Sequence, residues 1–325
     1  MSLAVRPLRV TVIPYYRQPV TTSGKAAASA AAGALLWGTL GPVAALFDTG
    51  DRIAAGGIRL AIGALVLLAV AKGRPLKRVW RRADLLPLAG GAVGIAGFQL
   101  AYFGAIGSAG VAVSTAVGIG LSPVFTGLWT VVRSRRSPGT GWLLGTALAV
   151  GGLCLLALSK GAIFSLVGLG LSVLAAAFFS LQAISIQELT TRHDDATALT
   201  GICGTGAVLM APVIAVTATG NLLTWQGISG IAYLGVVTTG MSYWLFARGI
   251  RHIGAAAAVT ITLLEPAGAA VIAALLLHEA LSPAQWVGIV LIAAAIPVAG
   301  RTRKTLVPGH KAAGHQELSP SGAGF

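Results

Sequence analysis

Charged residues are scarce in this chain, and their scarcity excludes a water-soluble fold. Asp, Glu, Lys and Arg make up 10% of its 325 residues and hydrophobic residues 55%, whereas soluble domains carry about 25% charged residues. Apolar runs of about 20 residues recur along the chain, which is the length of a helix that crosses a bilayer. The strands of a membrane barrel instead alternate apolar and polar residues over about ten positions, so a barrel is excluded as well.

The apolar runs predict an all-α membrane protein with ten transmembrane helices. We place the spans near 26–47, 53–71, 85–107, 109–132, 141–158, 163–186, 197–219, 226–247, 254–277 and 283–299. Residues 1–25 then form a cytoplasmic N-terminal tail without a removable signal, and residues 300–325 a disordered cytoplasmic C-terminal tail. Five spans lie in each half of the remainder, 26–158 and 163–299.

Cysteine and histidine are also few. Cys154 and Cys203 both fall in apolar runs, so the chain lacks the disulfide framework of a small secreted protein. The five histidines lie in loops, in tails or at the end of a span: His193, His252, His278, His310 and His315. We therefore expect no metal site and no cofactor. His278 and Glu279 are predicted to cap span nine.

The placement of the basic residues predicts the orientation. The net charge is +14, and 20 of the 23 Lys and Arg lie in the tails and in alternate loops, while only Arg52 and Lys160 lie in the loops on the other side. Cytoplasmic loops of membrane proteins carry such an excess of positive charge, so both termini are predicted to be cytoplasmic. Since this pattern orients the chain in a lipid bilayer, we do not expect nucleic acid as a partner.

The two halves of the chain are similar to each other. At a shift of 143 residues, five identical residues align: Phe103 with Phe246, Ala112 with Ala255, Leu121 with Leu264, Pro123 with Pro266, and Gly145 with Gly288. The paired prolines weigh most, because proline is uncommon and interrupts helical hydrogen bonding. An odd number of spans in each half predicts inverted repeats, an architecture of transporters whose substrate sites lie near the midplane beside helix breaks.

Several motifs in this order resemble the EamA branch of the drug/metabolite transporter superfamily. They are Ala34-Leu35-Leu36-Trp37-Gly38, Arg59-Leu60-Ala61, Leu264-Glu265-Pro266, Leu277-His278-Glu279 and Gly288. The resemblance covers about residues 26 to 300. It implies a five-plus-five inverted-repeat permease with a central cavity, commonly an exporter of amino acids or other small metabolites. The first half departs from the pattern, because Ser122-Pro123 stands where the second half has Glu265-Pro266.

Glu265 is the only acidic residue placed within a predicted span. A carboxylate in hydrocarbon is costly and normally faces protein or water, so Glu265 is a candidate proton, cation or substrate site. The alternative is a structural role beside the helix break at Pro266, where freed backbone groups need polar partners. Pro123 and Pro266 are the candidate helix-break and gating residues.

Arg59 lies several residues inside the second predicted span. Its long side chain could reach the outer interface with only its stem in the membrane. Alternatively, its guanidinium supplies a positive charge at the mouth of the cavity, where its fork of donors suits a carboxylate. The sequence does not separate these alternatives.

Aromatic and amide side chains within the spans are candidates for lining a substrate cavity. Aromatic residues near span ends ordinarily belong to the interfacial belt, but several of these lie deep or share a helix face with an amide. The candidates are Trp37, Gln99, Tyr102, Phe179, Gln182 and Tyr243. Such a lining suits a neutral or zwitterionic solute with an apolar part.

Glycines at four-residue spacing predict close helix packing. Gly90 and Gly94 lie in span three, and Gly141 and Gly145 at span five, a spacing that lets helices approach closely in membranes. None of them opens a strand-to-helix turn, so we do not expect a phosphate-binding loop.

These features favour a secondary transporter of small organic solutes, moving them outward by alternating access. A proton-coupled cation or multidrug antiporter that uses Glu265 is the alternative within transport. An intramembrane enzyme would need a nucleophile with its base, or a metal, at membrane depth. The spans contain no histidine and a single carboxylate, so we expect no catalytic residues. A purely structural or receptor role is disfavoured by the inverted repeat.

Overall fold

The computed structural model describes residues 24–44, 47–72, 74, 76–135, 139–158, 165–276 and 281–299. Most of the two predicted tails and the predicted cap at His278 and Glu279 lie outside these residues. Gly24 and Lys25, predicted as the end of the N-terminal tail, instead begin the first helix.

The described chain is helical. Its first half contains α1 (Gly24–Trp37), α2 (Leu40–Ala44), α3 (Thr49–Val70), α4 (Leu85–Gly118), α5 (Ser122–Ser134) and α6 (Thr140–Leu158). The second half contains α7 (Leu166–Thr190), α8 (Asp195–Thr217), α9 (Trp225–Tyr233), a π-helical segment (Leu234–Met241), α10 (Ser242–Ile253), α11 (Ala255–Ile261), α12 (Leu264–Leu276) and α13 (Pro283–Ala299). Side chains of Ser165, Asp194 and Thr224 accept hydrogen bonds from the first turns of α7, α8 and α9, which is why these helices begin there.

Nine helical segments of the described residues are long and apolar enough to cross a membrane. They correspond to the first nine predicted spans. Pro283–Ala299, the tenth predicted span, is an apolar helix of 17 residues, and its crossing stays a prediction. The predicted break between spans three and four lies inside α4, at Gly110.

Two equivalent glycines turn the chain between spans. Gly110 interrupts α4 with φ 75° and ψ 167°, and Gly254 separates α10 from α11 with φ 83° and ψ 159°. Residues with a side chain rarely adopt such a positive φ, so glycine is required at both turns. The two positions are 144 residues apart, one more than the shift of 143 that aligns the halves, so the same kind of turn recurs in both halves with an offset of one residue.

The helices pack with the symmetry expected of two related halves. α3 packs along α8, and α6 along α13, which are corresponding helices of the two halves. α1 packs along α10 in the same way that α7 packs along α4. These contacts are those of a twofold axis that exchanges each helix with its counterpart.

Ion pairs lie at one face of the bundle and join loops that were predicted to be on the same side. They are Arg192 with Asp84 at 2.8 Å, Arg74 with Asp194 at 3.1 Å, and Arg251 with Asp195 at 3.6 Å. At the other face, the Asp51 carboxylate accepts hydrogen bonds from the Thr219 backbone N–H at 2.7 Å and from its hydroxyl at 2.6 Å. The loops therefore divide between two faces as the charge pattern predicts.

Glycines allow the closest helix approaches, and Gly90, Gly94 and Gly145, three of the four glycines whose spacing predicts close packing, lie at such contacts. A Cβ atom at Gly94 would lie 2.7 Å from the Gln182 nitrogen, and one at Gly145 would lie 2.6 Å from the Ala299 Cβ. Between α6 and α13, a Cβ at Gly152 would lie 2.5 Å from the Gly288 carbonyl oxygen. The contact partner there is backbone, so a side chain would force the two helices apart.

We therefore expect Gly152→Ala to destabilise the protein by about 1–3 kcal/mol, the usual cost of overpacking. Gly151→Ala is the matched control, because a Cβ at Gly151 meets nothing within 4 Å. Thermal unfolding of both purified variants in detergent measures the difference. Equal melting temperatures for the two variants would contradict the close packing of α6 on α13.

Candidate transport cavity

A cavity of about 490 Å³ lies between the two halves. It extends towards the face of the bundle that lacks the ion pairs, since its lining includes the ends of α2 and α6 and the beginnings of α3 and α13. Most of the lining is apolar. Its polar and aromatic members are Trp37, Arg52, Tyr102, Phe103, Thr115, Glu265 and Gln285.

Glu265 lies where the ninth span is interrupted. α11 ends at Ile261 and α12 begins at Leu264, so the carboxylate belongs to the first turn of a new helix. Within the described residues, no hydrogen bond or ion pair reaches this carboxylate, although it lines the cavity. A cation or a hydrogen-bond donor inside the cavity could therefore bind it without displacing a protein partner.

Trp37 forms part of the cavity wall at the end of α1. Its indole N–H donates to the Thr238 carbonyl oxygen at 2.8 Å, which fixes the plane of the ring. Behind it, the ring packs against Tyr243 with centroids 4.8 Å apart, against Phe246 at 5.2 Å and against Phe179 at 6.2 Å. Trp37 thus contacts the cavity on one side and a buried aromatic cluster on the other.

Tyr102 supplies a second aromatic wall from α4. Its hydroxyl shares a hydrogen bond of 2.7 Å with the Thr115 hydroxyl beyond the turn at Gly110. Its ring stacks on Phe98 at 5.1 Å. The turn at Gly110 therefore returns the chain so that Thr115 holds Tyr102 beside the cavity.

The other predicted cavity residues lie behind this wall. The Gln99 amide donates to the Gly56 carbonyl oxygen at 3.1 Å and joins α4 to α3. Phe179 and Tyr243 pack against Trp37, Gln182 is buried, and none of these four residues lines the cavity. Helical spacing predicted that Gln99 shares a helix face with Tyr102, and Phe179 one with Gln182, but not that Trp37 lies in front of them.

The structure places Arg59 neither at the membrane interface nor in the cavity lining, and its role in binding a carboxylate stays a prediction. The side chain is 3% exposed, so it does not reach the membrane interface, and it does not line the cavity. Its Nη1 donates to the hydroxyls of Thr238 at 3.3 Å and Thr239 at 3.2 Å. Both hydroxyls donate in turn to the Leu234 carbonyl oxygen, which leaves their lone pairs free to accept from the guanidinium.

Pro123 and Pro266 each follow a break in a span, as the sequence predicts. α4 ends at Gly118 and α5 begins at Ser122, just as α11 and α12 are interrupted before Pro266. Only Pro266 lines the cavity. The gating role of both prolines stays a prediction.

Arg52 is a cavity residue that the sequence placed only in an outer loop. Its guanidinium donates to the carbonyl oxygens of Ala44 at 3.0 Å and Phe47 at 2.9 Å, which ties the end of α2 to the start of α3. The sequence feature that could have identified Arg52 is that it is one of only two basic residues predicted in the outer loops.

The bundle is closed at the opposite end by contacts between the halves. The Trp142 indole N–H donates to the Ala256 carbonyl oxygen at 3.2 Å, and the Thr146 and Thr260 hydroxyls share a hydrogen bond of 3.1 Å. Both contacts join α6 to α11. The cavity is therefore accessible from one face and sealed from the other.

Bilayer-length apolar helices, two repeats and a cavity sealed at one end are features of a multi-pass membrane transporter. The EamA-like transporter family matches residues 24–158 and 166–300, so each half is one copy of the family's repeat. The chain belongs to the EamA-like transporter family. It is a multi-pass protein of the bacterial inner membrane.

Two relatives are similar over most of the chain. The uncharacterized transporter YwfM of Bacillus subtilis (strain 168) is 33% identical over 286 residues, covering 85% of this chain and 95% of its own. The threonine/homoserine exporter RhtA of Escherichia coli (strain K12) is 29% identical over 243 residues, covering 73% and 78%. Both relatives are transporters by name.

A solved structure has the same fold. It is described only as a crystal structure of a protein, matches with a TM-score of 0.74 at 17% sequence identity, and covers 85% of this chain and 96% of its own. At this identity, the likeness establishes the fold alone. Among the described residues, no group of three His, Cys, Asp or Glu side chains could hold a metal ion.

The two threonines of the π-helical segment are expected to hold Arg59 in place. The double substitution Thr238→Val and Thr239→Val removes both acceptors of Nη1, and leaving a buried charged donor unpaired costs about 1–3 kcal/mol or more. The measurement is thermal unfolding in detergent. Thr205→Val is the control, because the Thr205 hydroxyl donates only to the Gly201 carbonyl oxygen of its own helix; an equal loss in control and double variant would contradict the assignment.

Proposed function

We propose that this protein is a secondary transporter that exports amino acids or related small metabolites by alternating access. The observation that carries the proposal is the Glu265 carboxylate, which has no hydrogen-bond or ion-pair partner in the described part of the chain and lies in a cavity open to one face of the bundle and sealed from the other. A carboxylate at such a position can receive the ammonium group of a solute. The volume of about 490 Å³ falls within the range of about 300–1,000 Å³ typical of small-molecule sites.

The lining supports a solute with an apolar part. Trp37 and Tyr102 present aromatic surfaces, and Leu153 and Leu156 line the wall contributed by α6. The relative RhtA is named as an exporter of threonine and homoserine, both of which are small amino acids. Together these observations favour amino acids over large or strongly anionic solutes.

The proposed orientation has both termini in the cytoplasm and two inverted five-helix repeats. In it, the face with the ion pairs is cytoplasmic, because the basic loops lie there, and the cavity opens outward. Alternating access then requires that the contacts of Trp142 and Thr146 with α11 open while the outer end closes. Such rocking of one repeat against the other is the common mechanism of inverted-repeat transporters.

Single cysteines test this orientation. Asn221→Cys and Lys77→Cys each add a thiol at an exposed position on a background in which Cys154 and Cys203 are replaced by alanine. In intact cells, a membrane-impermeant maleimide should label the thiol at position 221 and not the one at position 77. Labelling of position 77 alone would show that the chain has the opposite orientation.

A proton-coupled cation antiporter is a second candidate function. The position of Glu265 on the cavity favours this function, because a carboxylate there can bind a proton and a cation alternately. In this case a pH gradient would drive flux, whereas facilitated export would proceed without one.

Flux into liposomes tests the proposal and distinguishes the two candidates. Purified protein should take up radiolabelled amino acids above empty liposomes, and Glu265→Gln should reduce this flux about tenfold or more, because a charge-assisted hydrogen bond is lost. If the variant loses only flux driven by a pH gradient and keeps downhill flux, Glu265 couples proton movement to transport. No flux of any amino acid by the wild-type protein would refute amino-acid transport.

A further inference from the structure

Behind Trp37 lies a group of buried polar side chains whose hydrogen bonding is incomplete. Among the residues that the structure describes, the Nε of Arg59 has no hydrogen-bond partner, and neither does the Nε2 or the Oε1 of Gln182. These side chains are 3% and 1% exposed. Because buried polar atoms in native proteins are nearly always paired, these three atoms require an explanation.

The group is compact and is centred on Tyr243. The Gln182 amide lies beside the Tyr243 hydroxyl, but neither amide atom reaches a partner with hydrogen-bond geometry. Arg59 donates to the Thr238 hydroxyl, the Thr238 carbonyl oxygen accepts from the Trp37 indole, and the Trp37 ring packs against Tyr243. The guanidinium, the amide and the hydroxyl therefore surround one small region of the bundle.

Arg59 and Glu265 lie at similar depth on opposite sides of Trp37. Arg59 is ten residues from the start of α3 and Glu265 eleven from the end of α12, which at about 1.5 Å per residue places both about 15 Å from the same face. Trp37 lines the cavity next to Glu265, and it also contacts Tyr243 and the Thr238 backbone. The indole is thus a partition between the cavity and the polar group.

We propose that Arg59, Gln182 and Tyr243 form a carboxylate-binding subsite that opens to the cavity when the Trp37 side chain turns away. The guanidinium Nε, the amide N–H and the phenol hydroxyl are donors suited to the two oxygens of a carboxylate. Glu265, on the cavity side, receives the ammonium group. The substrate class is therefore a small amino acid that carries both groups.

The subsite deepens the proposed function and rests on it. A zwitterion brings a carboxylate to the Arg59 Nε and an ammonium group to Glu265, so both groups gain a hydrogen-bonding partner when substrate is bound. An amine without a carboxylate would satisfy Glu265 and leave the Arg59 Nε unpaired. The site should therefore distinguish amino acids from the corresponding amines, as sites with unpaired buried polar groups do.

Competition assays in liposomes test the carboxylate subsite. For an amino acid and its decarboxylated amine, Arg59→Gln and Gln182→Glu should each reduce the preference for the amino acid about tenfold or more. Arg59→Gln removes a charged donor, whereas Gln182→Glu adds a negative charge that repels a carboxylate and leaves the hydrogen bonds of Arg59 to Thr238 and Thr239 in place. If both variants retain the wild-type preference, or lose transport of both solutes equally, the subsite is refuted.

Thiol labelling tests the partition without reference to transport. Cys203 is fully buried in the same side-chain cluster as Trp37 and Tyr243, so on a Cys154→Ser background it reports access to the polar group. Trp37→Ala should make Cys203 react with a charged methanethiosulfonate at least tenfold faster than in the wild-type protein. Phe246→Leu, which loosens the packing behind Trp37 but keeps the indole, should leave the rate unchanged.

The two experiments distinguish failure of the proposed function from failure of the subsite and from failure of the partition. Absence of amino-acid flux in the wild-type protein would refute the proposed function, and labelling of Cys203 would still test the partition. Flux with unchanged preference in both variants would refute the subsite alone. An unreactive Cys203 in Trp37→Ala, or equal reactivity in Phe246→Leu, would show that Trp37 is not the partition.

Discussion

Hydrocarbon supplies no hydrogen bonds, and the structure depends on how the chain satisfies its polar groups without water. Backbone groups in a bilayer must be paired within the protein, so the chain is helical wherever it crosses. Helix breaks are tolerated only where protein or a cavity covers them. The breaks before Pro123 and Pro266 lie between the two halves, and the second of them places Glu265 on the cavity.

The same constraint organises the region around Trp37. Its indole N–H and the guanidinium of Arg59 both bond to Thr238, one through the carbonyl oxygen and one through the hydroxyl. This threonine lies in the π-helical segment, a form of helix that is rare and often occurs at functional sites. Arg59, Trp37 and the cavity are therefore connected through one residue, which links the position of the buried charge to the wall of the cavity.

Small residues at the helix contacts allow the two halves to pack closely against each other. Gly94, Gly145 and Gly152 bring backbones to distances that any side chain would prevent. Apolar surface gains little on leaving lipid, so close van der Waals contact at small residues drives association of membrane helices. Gly110 and Gly254 make equivalent turns in the two halves, which keeps corresponding helices in corresponding places.

The sequence by itself determined the helical class, the first nine spans, the family and the division of loops between two faces. Hydropathy and loop charge are local properties, and each half carries its own copy of the pattern. It also predicted Trp37, Tyr102 and Glu265 at the cavity, because large or charged residues are conspicuous in apolar spans.

Only the tertiary structure decided on which side of the cavity wall each polar residue lies. The rotation of a helix about its axis depends on its neighbours, and a sequence of apolar spans has no polar face to fix it. Arg59 therefore faces the π-helical segment and not the mouth, Gln99 pairs with the backbone of α3, and Gln182 lies behind Trp37. Arg52, assigned to a loop by its position, enters the cavity lining because hydrogen bonds to α2 hold its side chain there.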